Sequence, residues 1–243
     1  MGVKDKMELE DVAFIGRTYA EYMDMFAMEE KIFLDGPVLD CPAGPSSFTA
    51  EACARGHRVT ACDMLYNLPV RELEEKGNRD IALIGQKLEE TAHLFRWNYY
   101  GDKNRHMGHR VAALSRFVAD YPAGVEKGRY VRAELPHLPF ADNSFALVIS
   151  SHFFFLYGER LGPGFHVESL KEMARVSSGE VRVYPLIGLD AKPYPHMDEV
   201  LLLLERAGIG SELRPTPFEF FKGADMMLAI QRTETEKEKR KLQ

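Results

Sequence analysis

Two acids 23 residues apart, Asp40 and Asp63, each end a short apolar run, Val38-Leu39 before the first and Val59-Thr60-Ala61-Cys62 before the second. After Asp40 comes a loop of small and rigid residues, Cys41-Pro42-Ala43-Gly44-Pro45-Ser46-Ser47. A small residue at Ala43 and a glycine at Gly44 let the chain turn sharply and let a ligand approach the backbone. A helix capped at Ser46 or Ser47 would then present free N–H groups to a carboxylate. Pro42 and Pro45 remove two donors but stiffen the turn. An acid about 20 residues beyond such a loop can accept hydrogen bonds from ribose hydroxyls, and Asp63 stands at that interval. The bland counterparts are a proline-tightened turn without a ligand and, for Asp63, a strand-end cap.

Proton chemistry has its own candidates. Ser150-Ser151-His152 ends the run Phe145-Ala-Leu-Val-Ile, and Tyr157 follows five residues later. An imidazole there can serve as a general base and the phenol as a second polar group; a buried histidine satisfied by a backbone carbonyl is the alternative. Glu134, after Val131-Arg132-Ala133, is a third acid at a strand end. His106 and His109, with His93 or His166, have a spacing that could hold a metal, but no fourth ligand or cysteine pair accompanies them and no metal centre is expected. The string Trp97-Asn98-Tyr99-Tyr100 reads as packing or as one wall of an acceptor pocket.

The elements that must position these groups alternate between strand and helix, which implies α/β architecture. Val12, Ile15, Tyr19, Met23 and Phe26 recur at helical spacing and predict a helix over 9–28. Strands are expected at 38–40, 57–63, 129–133, 145–151 and 180–185. The nearly continuous apolar run at 145–151 suits a central parallel strand. Helices are expected at about 48–54, 70–96, 109–121, 165–176 and 197–207, with a loop over 101–108, and two closing strands at 218–221 and 226–231. The 65 residues between Asp63 and Arg129 exceed one crossover helix and imply an inserted helical subdomain at about 66–125. Residues 233–243 carry seven charges in eleven positions and predict a frayed tail.

The segment Val-Leu-Asp-Cys-Pro-Ala-Gly-Pro-Ser-Ser-Phe, residues 38 to 48, resembles the first motif of class I S-adenosylmethionine-dependent methyltransferases, usually D-x-G-x-G-x-G. Its three glycine positions fall here on Pro42, Gly44 and Ser46. The likeness extends through Asp63, Ala133-Glu134, Leu138-Pro139-Phe140 with Asp142, Ser144-Phe145 and Leu170 to Val176. It covers about residues 38–232 with the insertion unmatched. The resemblance implies a Rossmann-like, doubly wound, mostly parallel seven-stranded sheet with a helical insertion and a closing antiparallel hairpin. It further implies methyl transfer from S-adenosylmethionine to a small-molecule acceptor. By the same resemblance Asp40, Pro42 and the Ala43–Gly44 backbone would face the methionine part of the cofactor. Asp63, with Met64 beside it, would face the ribose, and Glu134 with Leu135 the adenine. Ser150, Ser151 and His152 would line the floor by the reactive sulfonium, and Tyr157 the acceptor. A helical cap over residues 1–30 and the insertion are expected to close the site, with Tyr19, Tyr22 and Trp97 near it.

Composition bounds the rest. The 243 residues are 45% hydrophobic and 28% charged, which is globular. A net charge of -6 argues against a broad nucleic-acid footprint. Three cysteines, Cys41, Cys53 and Cys62, are a poor disulfide framework and point to a reducing, cytoplasmic setting. No apolar run is long enough to span a bilayer, so membrane partners are not expected. Three other readings stay open: a different use of the same cofactor, such as aminocarboxypropyl transfer; a nicotinamide-dependent oxidoreductase, disfavoured by the absence of G-x-G-x-x-G; and a protein that binds the cofactor without turnover.

Overall fold

The computed structural model describes residues 4–233; of the charged tail expected at 233–243, all but Thr233 lies outside them. Seven strands, β1 (Val38–Asp40), β2 (Val59–Asp63), β3 (Tyr130–Arg132), β4 (Phe145–Ser151), β5 (Ser177–Tyr184), β6 (Ile209–Pro215) and β7 (Met226–Arg232), form one sheet in the order β3-β2-β1-β4-β5-β7-β6. All neighbours are parallel except β7, which runs antiparallel to both β5 and β6. This is the Rossmann-like, mostly parallel arrangement that the resemblance implies. The chain leaves β1 first toward β2 and β3 and later returns to its other side with β4. The crevice of such a sheet lies where the order reverses, at the carboxyl ends of β1 and β4. Register places Asp40 beside Ala61 and Ile149, so the loop after Asp40 rises between the ends of β2 and β4.

Helices cover both faces. Helices α2 (Phe48–Ala54) and α3 (Val70–Glu90) each pack on α4 (Lys103–Glu126), while α5 (Gly158–Val176) packs on α6 (Met197–Arg206). In β4 the residues Phe145, Leu147, Val148, Ile149 and Ser150 are buried, as a strand packed on both faces requires. The expected insertion is α3 and α4 with the aromatic connection between them. Helix α4 starts at Lys103, where the Asp102 side chain accepts from the Arg105 N–H, so most of the expected loop 101–108 is helical.

Two further expectations fail. The helix expected over 9–28 is only α1 (Tyr19–Met25), opened by a capping box in which Thr18 and Glu21 satisfy each other's backbone N–H. Residues 11–17 form an irregular strap instead. A Cβ at Gly16 would stand 2.0 Å from the Pro45 carbonyl oxygen, and this close approach to the β1 loop replaces helical hydrogen bonding. The strand expected at 218–221 is also absent; the partner of β7 is Ile209–Pro215. That edge strand is largely exposed and lacks an apolar pattern, because sheet pairing and not burial holds it. The aromatic residues Phe218, Phe220 and Phe221 are buried, Phe220 and Phe221 against Phe95 of the insertion.

Candidate functional site

A cavity of about 560 Å³ opens above the carboxyl ends of the central strands, within the range of about 300–1,000 Å³ usual for small-molecule sites. Its floor includes Pro42, Ala43 and Gly44 from the β1 loop, with Asp63 and Met64 from the end of β2. Glu134 and Leu135 join from beyond β3, and Ser151, His152 and Tyr157 from beyond β4. The structure therefore brings together ten of the twelve residues that the resemblance nominates; Ser150 is fully buried in β4 and outside the lining.

Asp40 is the other exception. It is fully buried and absent from the lining, where Tyr22 stands in front of it and donates its phenol to Oδ1 at 3.2 Å. Burial pushes the Asp40 carboxyl well above the usual range, and its Oδ2 has no hydrogen-bond partner among the described residues. Tyr22 lines the cavity as expected. Tyr19 does not: it is stacked between Phe33 and Phe48 with its hydroxyl on Glu30. Trp97 packs on Phe95 and Phe220 behind the wall.

The loop also departs from expectation in its donors. The N–H of Ala43 goes to Cys62 O, that of Gly44 to Asp63 Oδ2 and that of Ser46 to Ala43 O. The N–H groups of Ser47 and Phe48, which open α2, go to Arg17 O and Ser46 Oγ. The N–H groups of the loop and of the first residue of α2 are therefore consumed internally. Gly44 holds φ near +55°, which lets the chain turn toward Asp63 at no steric cost. Asp63 accepts from Gly44 N–H and, through Oδ1, from Leu65 N–H at 2.9 Å, so it is a cap for the turn. Each carboxylate oxygen can accept a further hydrogen bond and Asp63 lines the cavity, so cap and ligand acceptor are compatible. Burial raises its carboxyl, and the two backbone donors oppose that rise. Glu134 stands exposed at the rim.

Beyond β4 the geometry suits proton transfer. His152 sits at φ near +54°, its N–H held by the Tyr184 carbonyl at 2.7 Å. Nδ1 is 2.8 Å from Ser151 Oγ, which in turn lies 3.7 Å from Met25 Sδ. If Nδ1–H donates to Ser151 and Ser151 to Met25, Nε2 carries the lone pair, the form a general base needs. Burial first, then the cations of Arg17 and Arg110 and the nearby His106, holds the imidazole well below its usual range, hence neutral. The Tyr157 hydroxyl accepts from Ala13 N–H at 3.0 Å, leaving its own proton to donate. Burial raises its phenol, so it is a donor and not a base at neutral pH.

The sequence reading missed the strap. Phe14, Ile15 and Arg17 line the cavity, and the strap is pinned by Phe14 N–H on Asp80 at 2.7 Å, by Ala13 on Tyr157 and by Arg17 O on Ser46 and Ser47. From the insertion side come Lys76, Ile84, Phe95 and His106, with Phe220 and Phe221 behind. His106 is stacked on Phe220 with ring centroids 4.5 Å apart, and burial lowers its pKa to about 3. Among the described residues no group of three His, Cys, Asp or Glu side chains could hold a metal ion, and no helix is long and apolar enough to cross a membrane.

No protein-family model matches the chain. Similar solved structures include a TehB-like SAM-dependent methyltransferase from Corynebacterium glutamicum, 16% identical at TM-score 0.42 over 92% of this chain and 89% of that one. A putative S-adenosyl-L-methionine-dependent methyltransferase from Methanococcus maripaludis is 12% identical at TM-score 0.44, over 94% and 98%. The mitomycin 7-O-methyltransferase MmcR is 14% identical at TM-score 0.49, over 88% of this chain and 54% of that one. In sequence the chain is similar to the uncharacterized protein MJ0045 of Methanocaldococcus jannaschii, at 30% identity over 227 residues, 93% of this chain and 99% of the relative. A likeness of that depth along nearly the whole of both chains places the protein in the same family as this archaeal relative.

Proposed function

We propose that this cavity binds S-adenosylmethionine and that the protein transfers the methyl group to a small-molecule acceptor. The observation that carries the reading is the convergence on one cavity of Gly44, Asp63, Glu134 and His152, from the ends of four parallel strands at the reversal of strand order. Asp63 would hold the ribose hydroxyls, and Glu134 with Leu135 the adenine edge. The buried Asp40 would act through Tyr22 and the loop backbone. The cofactor supplies a methyl group already activated on a sulfonium, so the protein's share is alignment of the acceptor and removal of its proton. His152 Nε2 takes that proton, Ser151 holding the ring in the required tautomer. Tyr157 orients the acceptor with its hydroxyl proton while fixing the strap that keeps water out.

Calorimetric titration with S-adenosylmethionine tests the reading. Asp63→Ala should weaken binding by about 1.5 to 3 kcal/mol, since hydrogen bonds to a charged acceptor are lost. A melting curve separates this from unfolding, because Gly44 and Leu65 lose their acceptor in the same variant. Incubation with amines, thiols, hydroxy compounds and carboxylates should then yield S-adenosylhomocysteine. A product heavier by an aminocarboxypropyl group would redirect the chemistry, and unchanged affinity in a folded Asp63→Ala would remove Asp63 from the site.

A further inference from the structure

On that reading of the cavity, we propose that the methyl acceptor is an anion, a small apolar molecule whose carboxylate pairs with the guanidinium of Arg17. Arg17 lines the cavity, and its main chain is held by Ser46 and Ser47. Among the described residues its side chain has two long hydrogen bonds, from Nη1 to the carbonyls of Ile15 at 3.4 Å and Gly16 at 3.3 Å. Among the described residues Arg17 makes no ion pair with a carboxylate, whereas its neighbour Arg110, fully buried, pairs with the equally buried Glu21. Even so, Nε and Nη1 of Arg110 have no hydrogen-bond partner among the described residues. Two guanidinium groups thus share one end of the molecule with one ion-paired carboxylate. A half-buried cation facing a largely apolar cavity without a counter-charge is costly, and a planar carboxylate meeting the guanidinium fork reduces that cost.

Arg17 shares the cavity lining with Tyr22, Tyr157, His106 and His152. Its cation is coupled to the phenols of Tyr100, Tyr22, Tyr157 and Tyr184 and lowers the pKa of His152 and His106. Apart from Tyr22, these come from the insertion and from the ends of β4 and β5, the side of the proposed base, and not from the Pro42–Gly44 loop. Burial and the cations keep both histidines neutral, so neither adds a charge that would repel or replace the anion. The remaining lining is largely apolar, with Leu156, Leu161, Phe165, Leu189, Phe220 and Phe221, which suits a hydrophobic acid and not a sugar acid or phosphate. An anion at this place would also face the positive sulfonium, which favours its approach.

Calorimetry with benzoate, naphthoate and octanoate against their uncharged amides, in the presence of S-adenosylhomocysteine, tests the assignment. At least one carboxylate should bind the parent about tenfold or more tightly than its amide. Arg17→Gln should bring the two within about twofold while S-adenosylhomocysteine affinity stays within about threefold, and Arg17→Lys should restore part of the preference. No preference in the parent, or one that survives Arg17→Gln, overturns the proposal. A tenfold loss of S-adenosylhomocysteine affinity with the preference intact would assign Arg17 to the cofactor's own carboxylate and overturn it equally. The same titrations without nucleoside keep the two readings apart: carboxylate preference in a protein that fails to bind S-adenosylhomocysteine would sink the methyl-transfer reading and leave Arg17 as an acid-binding residue.

Discussion

At the scale of single residues, His152 joins backbone geometry to chemistry. Its left-handed φ is one that few side chains other than asparagine, aspartate and histidine adopt readily, so His152→Asn keeps the turn while removing the base. We expect cofactor affinity to persist and turnover to fall by about 10². The direction of the imidazole's pKa sets the pH dependence. The neutral ring is the active form, and burial beside Arg17 and Arg110 keeps it neutral to a pH well below 6.5. Turnover should therefore be level between pH 6 and 8, with its acid limb displaced below that of an exposed histidine. A limb centred near pH 6.5 would mean that another group is titrating. Asp63 teaches a related lesson: its place at the end of β2 was legible from spacing, but its use of both oxygens on backbone donors was not, because those donors come from Gly44, in another turn, and Leu65.

At the scale of elements, α1 and α4 are joined through one buried carboxylate. Glu21 Oε1 accepts from Arg110 and from the Tyr100 hydroxyl, and its Oε2 accepts from the N–H and hydroxyl of Thr18, each at 2.7 Å. Arg110→Met leaves that carboxylate uncompensated in the interior and should cost about 3–5 kcal/mol, read by denaturant unfolding. Replacing Glu21 and Arg110 together by methionine should cost less than the sum of the single changes, since no charge is then stranded. The apolar spacing of Val12, Ile15, Tyr19, Met23 and Phe26 suggested a continuous helix because burial along a strap that crosses a cavity can mimic helical periodicity. What sets the boundary is local and visible afterwards, Thr18 and Glu21 in a capping box three residues apart.

For the whole molecule, the strap and the insertion complete the roof over the strand ends. Cofactor binding should therefore protect 11–25 and 95–110 from hydrogen exchange as well as 38–63. Protection limited to 38–63 would show that strap and insertion do not respond to the ligand. Such coupling is expected because the strap has no helical or sheet hydrogen bonding of its own and rests on Asp80, Tyr157 and the Ser46–Ser47 turn.

The sequence by itself determined the strand-and-helix alternation, the place of the acids and His152 at strand ends, and the size of the insertion. These are short-range matters: runs of apolar residues, turn residues and intervals in the chain. The tertiary structure alone decided that β6 is an exposed, polar-patterned strand held by β7, that the loop's N–H groups are spent within the protein, and that Arg17 reaches the cavity without a carboxylate partner. Each depends on a partner distant in the chain, Arg17 with Ser47 or Ile209 with Arg232, and no local pattern encodes which distant group will satisfy a donor or leave a charge unpaired.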